Sequence, residues 1–174
     1  MSLLRYLVPT AALLAAACTA PPAPATAPPD TTAVSQAIDA TYAAFRAAYA
    51  RLDDSAVAAL YTDDATYHAA GSTPAVGRDA VHRVFRGFFD AMRADSATLD
   101  LDFRIVRREM APGLAADVGY YQLAPVRRGT RGAASYGRFT TVLRPGADGR
   151  WRFVVDGYTG STLEEWDAAP RREP

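Results

Sequence analysis

Apolar residues recur every three or four positions in two long stretches, and this spacing predicts two amphipathic helices. The first helix is predicted from about Thr31 to just before Asp53, and its recurring apolar positions are Ile38, Tyr42, Phe45 and Tyr49. The second long helix is predicted in "GRDAVHRVFRGFFDAMRAD", with Val81, Val84, Phe85, Phe88 and Phe89 on its apolar side. A short helix, "DDSAVAALY", is predicted between them.

The pattern changes to a period of two in the second half of the chain, which predicts β-strands. In "LDLDFRIV", Leu99, Leu101, Phe103 and Ile105 fall on one face. "ADVGYYQLAP" is a second strand, and "VRRGTRGAA" is interpreted as a long hairpin loop. "PGADGR" predicts a tight hairpin between the last two strands. Helices followed by an antiparallel meander indicate an α+β fold in which helices pack on one face of a curved sheet.

The first thirty residues differ from the rest in composition. Residues 1–17 resemble a signal peptide, with one positive charge followed by an apolar stretch and small residues. Cys18 follows directly, and the segment resembles a bacterial lipoprotein signal in which this cysteine carries the lipid. Residues 18–30 are rich in proline and alanine, which is typical of an extended tether. We expect a membrane-bound protein on the periplasmic side of the bacterial cell envelope; the alternative is a soluble periplasmic or secreted protein.

The rest of the chain is predicted to form one domain over residues 31–163, followed by a loose tail over residues 164–174. Nineteen basic residues, all of them arginine, balance nineteen acidic ones, so no basic excess indicates nucleic-acid binding. The arginines concentrate in the second half, which fits either a solvated sheet face or a surface that prefers anions. The single cysteine excludes an internal disulfide.

The stretch "LYTDDATYHAAG", residues 60–71, contains the residues that most resemble a catalytic cluster. Asp63 and Asp64 are interpreted as structural, since adjacent strand or turn positions point in different directions. His68 is a weak candidate base, while His82 is expected on the surface. Two isolated histidines form no metal site, and neither a metal nor another cofactor is expected.

Two longer stretches resemble the NTF2-like superfamily, nearest to its SnoaL-like and DUF4440-type members. They are "LYTDDATYHAAGSTPAVGRDAVHRVF" and "YGRFTTVLRPGADGRWRFVVDGYTGS", and the resemblance covers residues 34–161. It implies a cone, in which a bent sheet wraps around the first helix and leaves a pocket at its open end. It also implies a homodimer through the sheet. Members of this superfamily include isomerases, cyclases, dehydratases and binding domains, so the fold alone implies no activity.

The resemblance to ketosteroid isomerases of this fold implies three catalytic positions, and none of them carries a suitable side chain. The base position falls at Ala69, the tyrosine donor at Phe45, and the acidic donor near Gly137 or Arg138. We therefore expect a binding domain for a small apolar or amphipathic ligand, or a domain for self-association. The alternative is a cofactor-free enzyme that transfers a proton through His68, Asp156 or both.

Aromatic residues and one arginine are the candidates for lining the pocket. They are Phe45, Tyr49, Tyr61, Phe85, Phe89, Tyr120, Tyr136, Arg138 and Trp151. A pocket filled by its own phenylalanines would instead indicate a purely structural role.

Overall fold

The helices come first and the strands follow, as the hydrophobic pattern predicts. The computed structural model describes residues 31–170. The helices in this part are α1 (Thr31–Arg51), α2 (Asp54–Ala58), α3 (Arg78–Ala94) and α4 (Leu163–Ala168). The strands are β1 (Tyr61–His68), β2 (Ala75–Val76), β3 (Ala97–Ala111), β4 (Leu114–Arg127), β5 (Thr130–Arg131), β6 (Ser135–Pro145) and β7 (Trp151–Gly160).

The strands form one curved sheet in the order β2-β1-β7-β6-β4-β3, and β5 pairs with β4. Neighbouring strands are antiparallel except for β1 and β7, which are parallel. The short strand β5 lies inside the stretch interpreted as a loop, where it folds back on β4. The predicted α+β cone, with helices packed on one face of a curved sheet, is confirmed.

The predicted apolar face of α1 is buried against the concave side of the sheet. Tyr42 is central to this contact, and its ring packs against Phe103, Phe139 and Phe153 at centroid distances of 5.2, 6.0 and 5.5 Å. Its hydroxyl lies 2.7 Å from the hydroxyl of Thr141, so the polar end of this buried side chain is hydrogen-bonded. Burial of such rings contributes most of the stability of a small core.

Two β-bulges change which side chains face the core. In β3, Val106 has no partner in β4, because Ile105 pairs with Gly119 and Arg107 with Val118. In β7, Val154 is the extra residue in the same way, since Phe153 pairs with Leu143 and Val155 with Val142. A bulge inserts one residue into a ladder of period two, so odd-numbered side chains face inward before each bulge and even-numbered ones after it.

The C-terminal segment corrects one expectation. Residues 164–174 were expected to be loose, but α4 is a regular helix with a capping box between Thr162 and Glu165. The side chain of Trp166 is 4% exposed and lies on the outer face of the sheet, where the Arg104 guanidinium is 4.0 Å from its ring centroid. Burial of this ring and the cation–π contact hold the helix in place.

The predicted signal peptide and tether, residues 1–30, and the last four residues, 171–174, lie outside the described residues. Within residues 31–170, no helix combines the length and the apolar character that crossing a membrane requires.

The bulge in β3 turns Arg108 inward, where it forms a buried ion-pair network. Its guanidinium donates to both carboxylate oxygens of Asp117, at 2.8 and 2.9 Å, and Asp117 is fully buried. It also donates to Asp39 and Ser35 on α1, at 2.7 and 2.8 Å. These bonds join the β3–β4 hairpin to the first helix.

Loss of Arg108 should therefore lower the free energy of unfolding. Arg108→Met leaves the Asp117 carboxylate buried without its partner, and we expect the free energy of unfolding to fall by about 3–5 kcal/mol. The neighbouring Arg107 pairs with Glu109 on the surface, so Arg107→Met should change it by less than about 1 kcal/mol. Denaturant unfolding of the two variants measures both values, and equal losses would contradict the role of the buried network.

Candidate functional site

A cavity of about 320 Å³ lies between α1, α3 and the concave face of the sheet. Its wall is mostly aromatic. The lining residues are Tyr42, Phe45, Tyr49, Tyr67, Ala69, Val84, Phe85, Phe88, Leu101, Phe103, Tyr121, Leu123, Ser135, Phe139, Thr141, Asp156 and Tyr158. An apolar cavity with a few polar groups is the usual form of a small-molecule site.

Four of the residues singled out from the sequence lie on this wall, namely Phe45, Tyr49, Phe85 and Asp156. Tyr61 lies behind the wall, and its hydroxyl contacts Asp156.

The other pocket candidates lie elsewhere. Phe89 and Trp151 belong to the buried core beside the cavity. Tyr120, Tyr136 and Arg138 do not line the cavity, because strand alternation points them to the outer face of the sheet. There Tyr136 packs near Trp166, and Arg138 lies 3.6 Å from Glu165.

His68 does not belong to the site. It is exposed at the end of β1, while Tyr67 and Ala69 on either side of it line the cavity. No bulge adjoins this end of β1, so alternation directs the imidazole away from the cavity. His68 therefore contributes no group to the wall of this cavity.

His82 and the aspartate pair of β1 have structural partners. His82 is half-buried rather than fully on the surface, and its Nε2 lies 2.7 Å from an oxygen of Asp54. Asp63 and Asp64 form ion pairs with Arg78 and Arg144, at 2.7 and 2.6 Å. These ion pairs lie on the surface and link β1 to the start of α3 and to the end of β6.

Asp156 enters the cavity because of the bulge in β7. Trp151 and Phe153 face the core before Val154, and Asp156 and Tyr158 face the cavity after it. The Tyr61 hydroxyl donates a hydrogen bond of 2.5 Å to Oδ2 of Asp156. The structure gives Oδ1 no hydrogen-bond partner within residues 31–170, so this oxygen is free to contact a ligand.

Burial raises the pKa of Asp156 to about 6, although the hydrogen bond from Tyr61 acts in the opposite direction. The physical cause is the loss of hydration of the charged form, with no cation nearby to replace it. Asp148, in contrast, is exposed and paired with Arg152, which lowers the pKa of its carboxyl. A carboxyl that titrates near neutral pH inside a cavity is typical of a functional site.

Tyrosine hydroxyls surround this carboxyl. Burial, and then the charge of Asp156, raise the pKa of Tyr49, so its hydroxyl remains a hydrogen-bond donor at neutral pH. Burial also raises the pKa of Tyr67 and Tyr121. Neither Tyr49 nor Tyr121 donates its hydroxyl to another group in the described part of the chain, which leaves both available to a ligand.

Gly137 makes room for one of these donors. A Cβ atom at this position would lie 2.3 Å from the ring of Tyr121 and 2.4 Å from its hydroxyl, so only glycine lets the ring lie against β6. Gly137 is also near the position where the resemblance to ketosteroid isomerases implies an acidic donor.

Tyr67, Tyr121 and Tyr158 are not among the selected pocket candidates, although the sequence suggests Tyr67 and Tyr121 as aromatic residues of the core or the pocket. Tyr67 and Tyr158 could have been found by alternation, since they lie two residues from Ala69 and Asp156. Tyr121 could have been found from its pairing with Gly137, but that pairing requires the register of β4 and β6.

A metal site is not found: residues 31–170 hold no group of three or more histidine, cysteine or acidic side chains that could bind an ion.

Comparison with known proteins identifies the family. The model of the SnoaL-like domain matches residues 42–154, and the chain belongs to this family. No curated protein matches the chain significantly.

Solved structures share the fold. A ketosteroid isomerase-like protein from Erwinia carotovora atroseptica is 22% identical, with a TM-score of 0.59 over 73% of this chain and 95% of that one. An NTF2-like protein with a cystatin-like fold from Novosphingobium aromaticivorans is 19% identical, with a TM-score of 0.66 over 76% and 85% of the two chains. At these identities the likeness establishes the NTF2-like fold and nothing about activity.

The titration of Asp156 should appear in the stability of the protein. Its pKa in the folded state, about 6, is above the value of about 3.9 for an unfolded chain. The folded state therefore binds this proton more tightly, and the contribution of Asp156 to stability falls as the pH rises from about 4 to about 6. Asp156→Asn should gain stability relative to the wild type, by about 1–3 kcal/mol, between pH 4 and pH 7.5.

Denaturant unfolding at the two pH values measures this difference. Asp148→Asn is the control, because it removes an exposed carboxyl whose pKa is lowered by Arg152, and it should show no such gain. An equal response of the two variants would contradict the raised pKa of Asp156.

Proposed function

We propose that this domain binds one small, mostly apolar molecule in the cavity, with a polar group of the ligand facing Asp156. The observation that carries the proposal is a half-buried carboxyl that has no cationic partner and lies on a mostly aromatic wall. Folding gains nothing from such a carboxyl, because burial without a charged partner is unfavourable. Its position is explained when a ligand supplies the missing contact.

The state of the cavity argues against a purely structural role. Phe45 and Phe85 line the cavity without filling it, while Phe89 packs beside it in the core. The rings of Phe45 and Phe85 contact each other edge to face at a centroid distance of 6.0 Å. Phe45 also stacks on Tyr49 at 4.8 Å, and Phe85 lies 5.0 Å from Tyr67, so both rings are held by neighbours in the wall.

An uncharged fluorescent probe, N-phenyl-1-naphthylamine, tests the binding proposal. The experiment uses the full chain carrying Cys18→Ser, which prevents lipidation, and we expect this protein to bind the probe saturably. Adding Val84→Trp places a large ring in the cavity wall and should abolish the binding. Leu114→Trp in the β3–β4 hairpin is the matched control, since Val84 is 42% exposed and Leu114 44% exposed, and Leu114 does not line the cavity. Equal binding by the two tryptophan variants would overturn the proposal.

A second candidate function is proton transfer, and the raised pKa of Asp156 favours it. In such a reaction the carboxylate takes a proton from the carbon next to a ligand carbonyl. The C–H electron pair forms the C=C bond of an enolate, whose oxygen accepts a hydrogen bond from a tyrosine hydroxyl such as that of Tyr121. Return of the proton to carbon completes the cycle and leaves the protein unchanged.

Exchange of the α-protons of 2-tetralone in D₂O, followed by NMR, tests this candidate. We expect the protein to accelerate exchange and Asp156→Asn to lower the rate by about 10²-fold or more. Asp79→Asn, which removes an exposed carboxyl outside the cavity, should leave the rate unchanged. If wild type and Asp156→Asn exchange at the same rate, the protein does not use this carboxyl as a base.

We also propose that the protein is exported and anchored to the membrane of the cell envelope through a lipid on Cys18. The support is the order of a short apolar segment, small residues, the cysteine and a proline-rich stretch. Several acyl chains, at about 0.8 kcal/mol for each buried methylene, would be enough for stable anchoring.

Self-association through the sheet is proposed from an exposed apolar patch. Val106, Val118 and Val155 on the strands are 44%, 39% and 40% exposed. Val155 pairs with Val142, and Val118 lies one row further along the same outer face. Helix α4 covers the other end of this outer face. A second copy of the chain would therefore bind at the end that carries Val106, Val118 and Val155.

Two substitutions, introduced in turn, test the lipid anchor and the homodimer. Cys18→Ser should move the protein from the membrane fraction to the soluble fraction, and light scattering on this soluble variant should give twice the mass of one chain. Adding Val118→Arg should then give a single chain, because it places a charge in the apolar contact. A membrane-bound Cys18→Ser variant would contradict the anchor, and a single-chain mass before the second substitution would contradict the homodimer.

A further inference from the structure

Asp156 differs from the other described carboxylates in its surroundings. Most of them have an arginine partner, and even the fully buried Asp117 receives two hydrogen bonds from Arg108. Those without an ion pair in residues 31–170 are Asp156 and three exposed residues, Asp79, Glu164 and Asp167. Asp156 alone is both enclosed and without a cation.

The cavity supplies no positive charge of its own. Its lining residues include no arginine, lysine or histidine, so the single formal charge on the wall is that of Asp156. The aromatic rings of Tyr49, Tyr67, Phe85 and Tyr158 surround the same space, and ring faces carry partial negative charge. The tyrosine hydroxyl oxygens add hydrogen-bond acceptors.

We propose that the ligand is a small organic cation, an amine joined to an aromatic or other apolar body, whose N–H group donates to Oδ1 of Asp156. This inference rests on the proposed ligand-binding function and specifies the charge of the ligand. The apolar body packs between the phenylalanine and tyrosine rings, and the ammonium lies between the carboxylate and the aromatic faces. Both contacts attract a cation, more strongly when water is excluded.

The same surroundings disfavour an anionic ligand. A carboxylate or phosphate in the cavity would be repelled by Asp156 and would find no cation on the wall. A neutral ligand could donate a hydrogen bond to the carboxylate, but it would leave the negative charge of Asp156 uncompensated. The arginines of the second half that the structure describes are directed to the surface or to ion pairs, so they do not change the charge of the cavity.

Three probes of the same shape distinguish these possibilities: 2-naphthylmethylamine, 2-naphthylmethanol and 2-naphthoate. Calorimetric titration at pH 7.5 would use the full chain carrying Cys18→Ser. We expect the amine to bind about tenfold or more tightly than the alcohol, and the acid not to bind. Asp156→Asn keeps the shape of the side chain and its acceptor for Tyr61, and it should reduce the affinity for the amine to that of the alcohol.

The outcomes separate this inference from the proposed function. Equal affinity for amine and alcohol, with no effect of Asp156→Asn, would overturn the cation preference while leaving a ligand-binding cavity. Binding of the amine that survives in Val84→Trp would place it outside the cavity and overturn the inference. Failure of all three probes, together with failure of N-phenyl-1-naphthylamine, would overturn both. A preference for the amine over the alcohol that disappears in both Val84→Trp and Asp156→Asn supports the inference.

Discussion

The extra residue in each of two strands determines which chemical groups enter the cone. Val106 in β3 and Val154 in β7 have no partner in the neighbouring strand, and inward-facing positions change from odd to even after each of them. The first change brings Arg108 into ion pairs with Asp117 and with Asp39 of α1. The second places Asp156 in the cavity instead of on the outer face. Without the second bulge the concave side would hold no carboxyl at this end of β7.

Stability and function make opposite demands at this site. Most polar groups of the interior have partners, as Tyr42 has Thr141 and Arg108 has Asp117. Asp156 accepts one hydrogen bond, from Tyr61, and has no cation beside it, and burial raises its pKa to about 6. Such local departures from the rules of stable packing are expected where a protein binds or transforms a ligand. The chain has the scaffold of the SnoaL-like family, and the carboxyl without a cation is the feature on which the proposed ligand binding depends.

Much of the fold could be predicted from the sequence, because its signals are local. The spacing of Ile38, Tyr42, Phe45 and Tyr49 gave the buried face of α1, and the alternation from Leu99 to Ile105 gave that of β3. The site was less predictable, because the position at which a bulge shifts the alternation depends on the pairing with the neighbouring strand. The tail was missed for a related reason: Trp166 is held by Arg104 and Tyr136, which are distant in sequence.

A crystal structure of the full chain, purified without added ligand, is the decisive measurement for the role of Asp156. We expect an open cavity with the Asp156 carboxyl on its wall, within hydrogen-bonding distance of Tyr61, and density for a small molecule in contact with Oδ1. A cavity closed by its own side chains, or Asp156 on the outer face of the sheet, would contradict it.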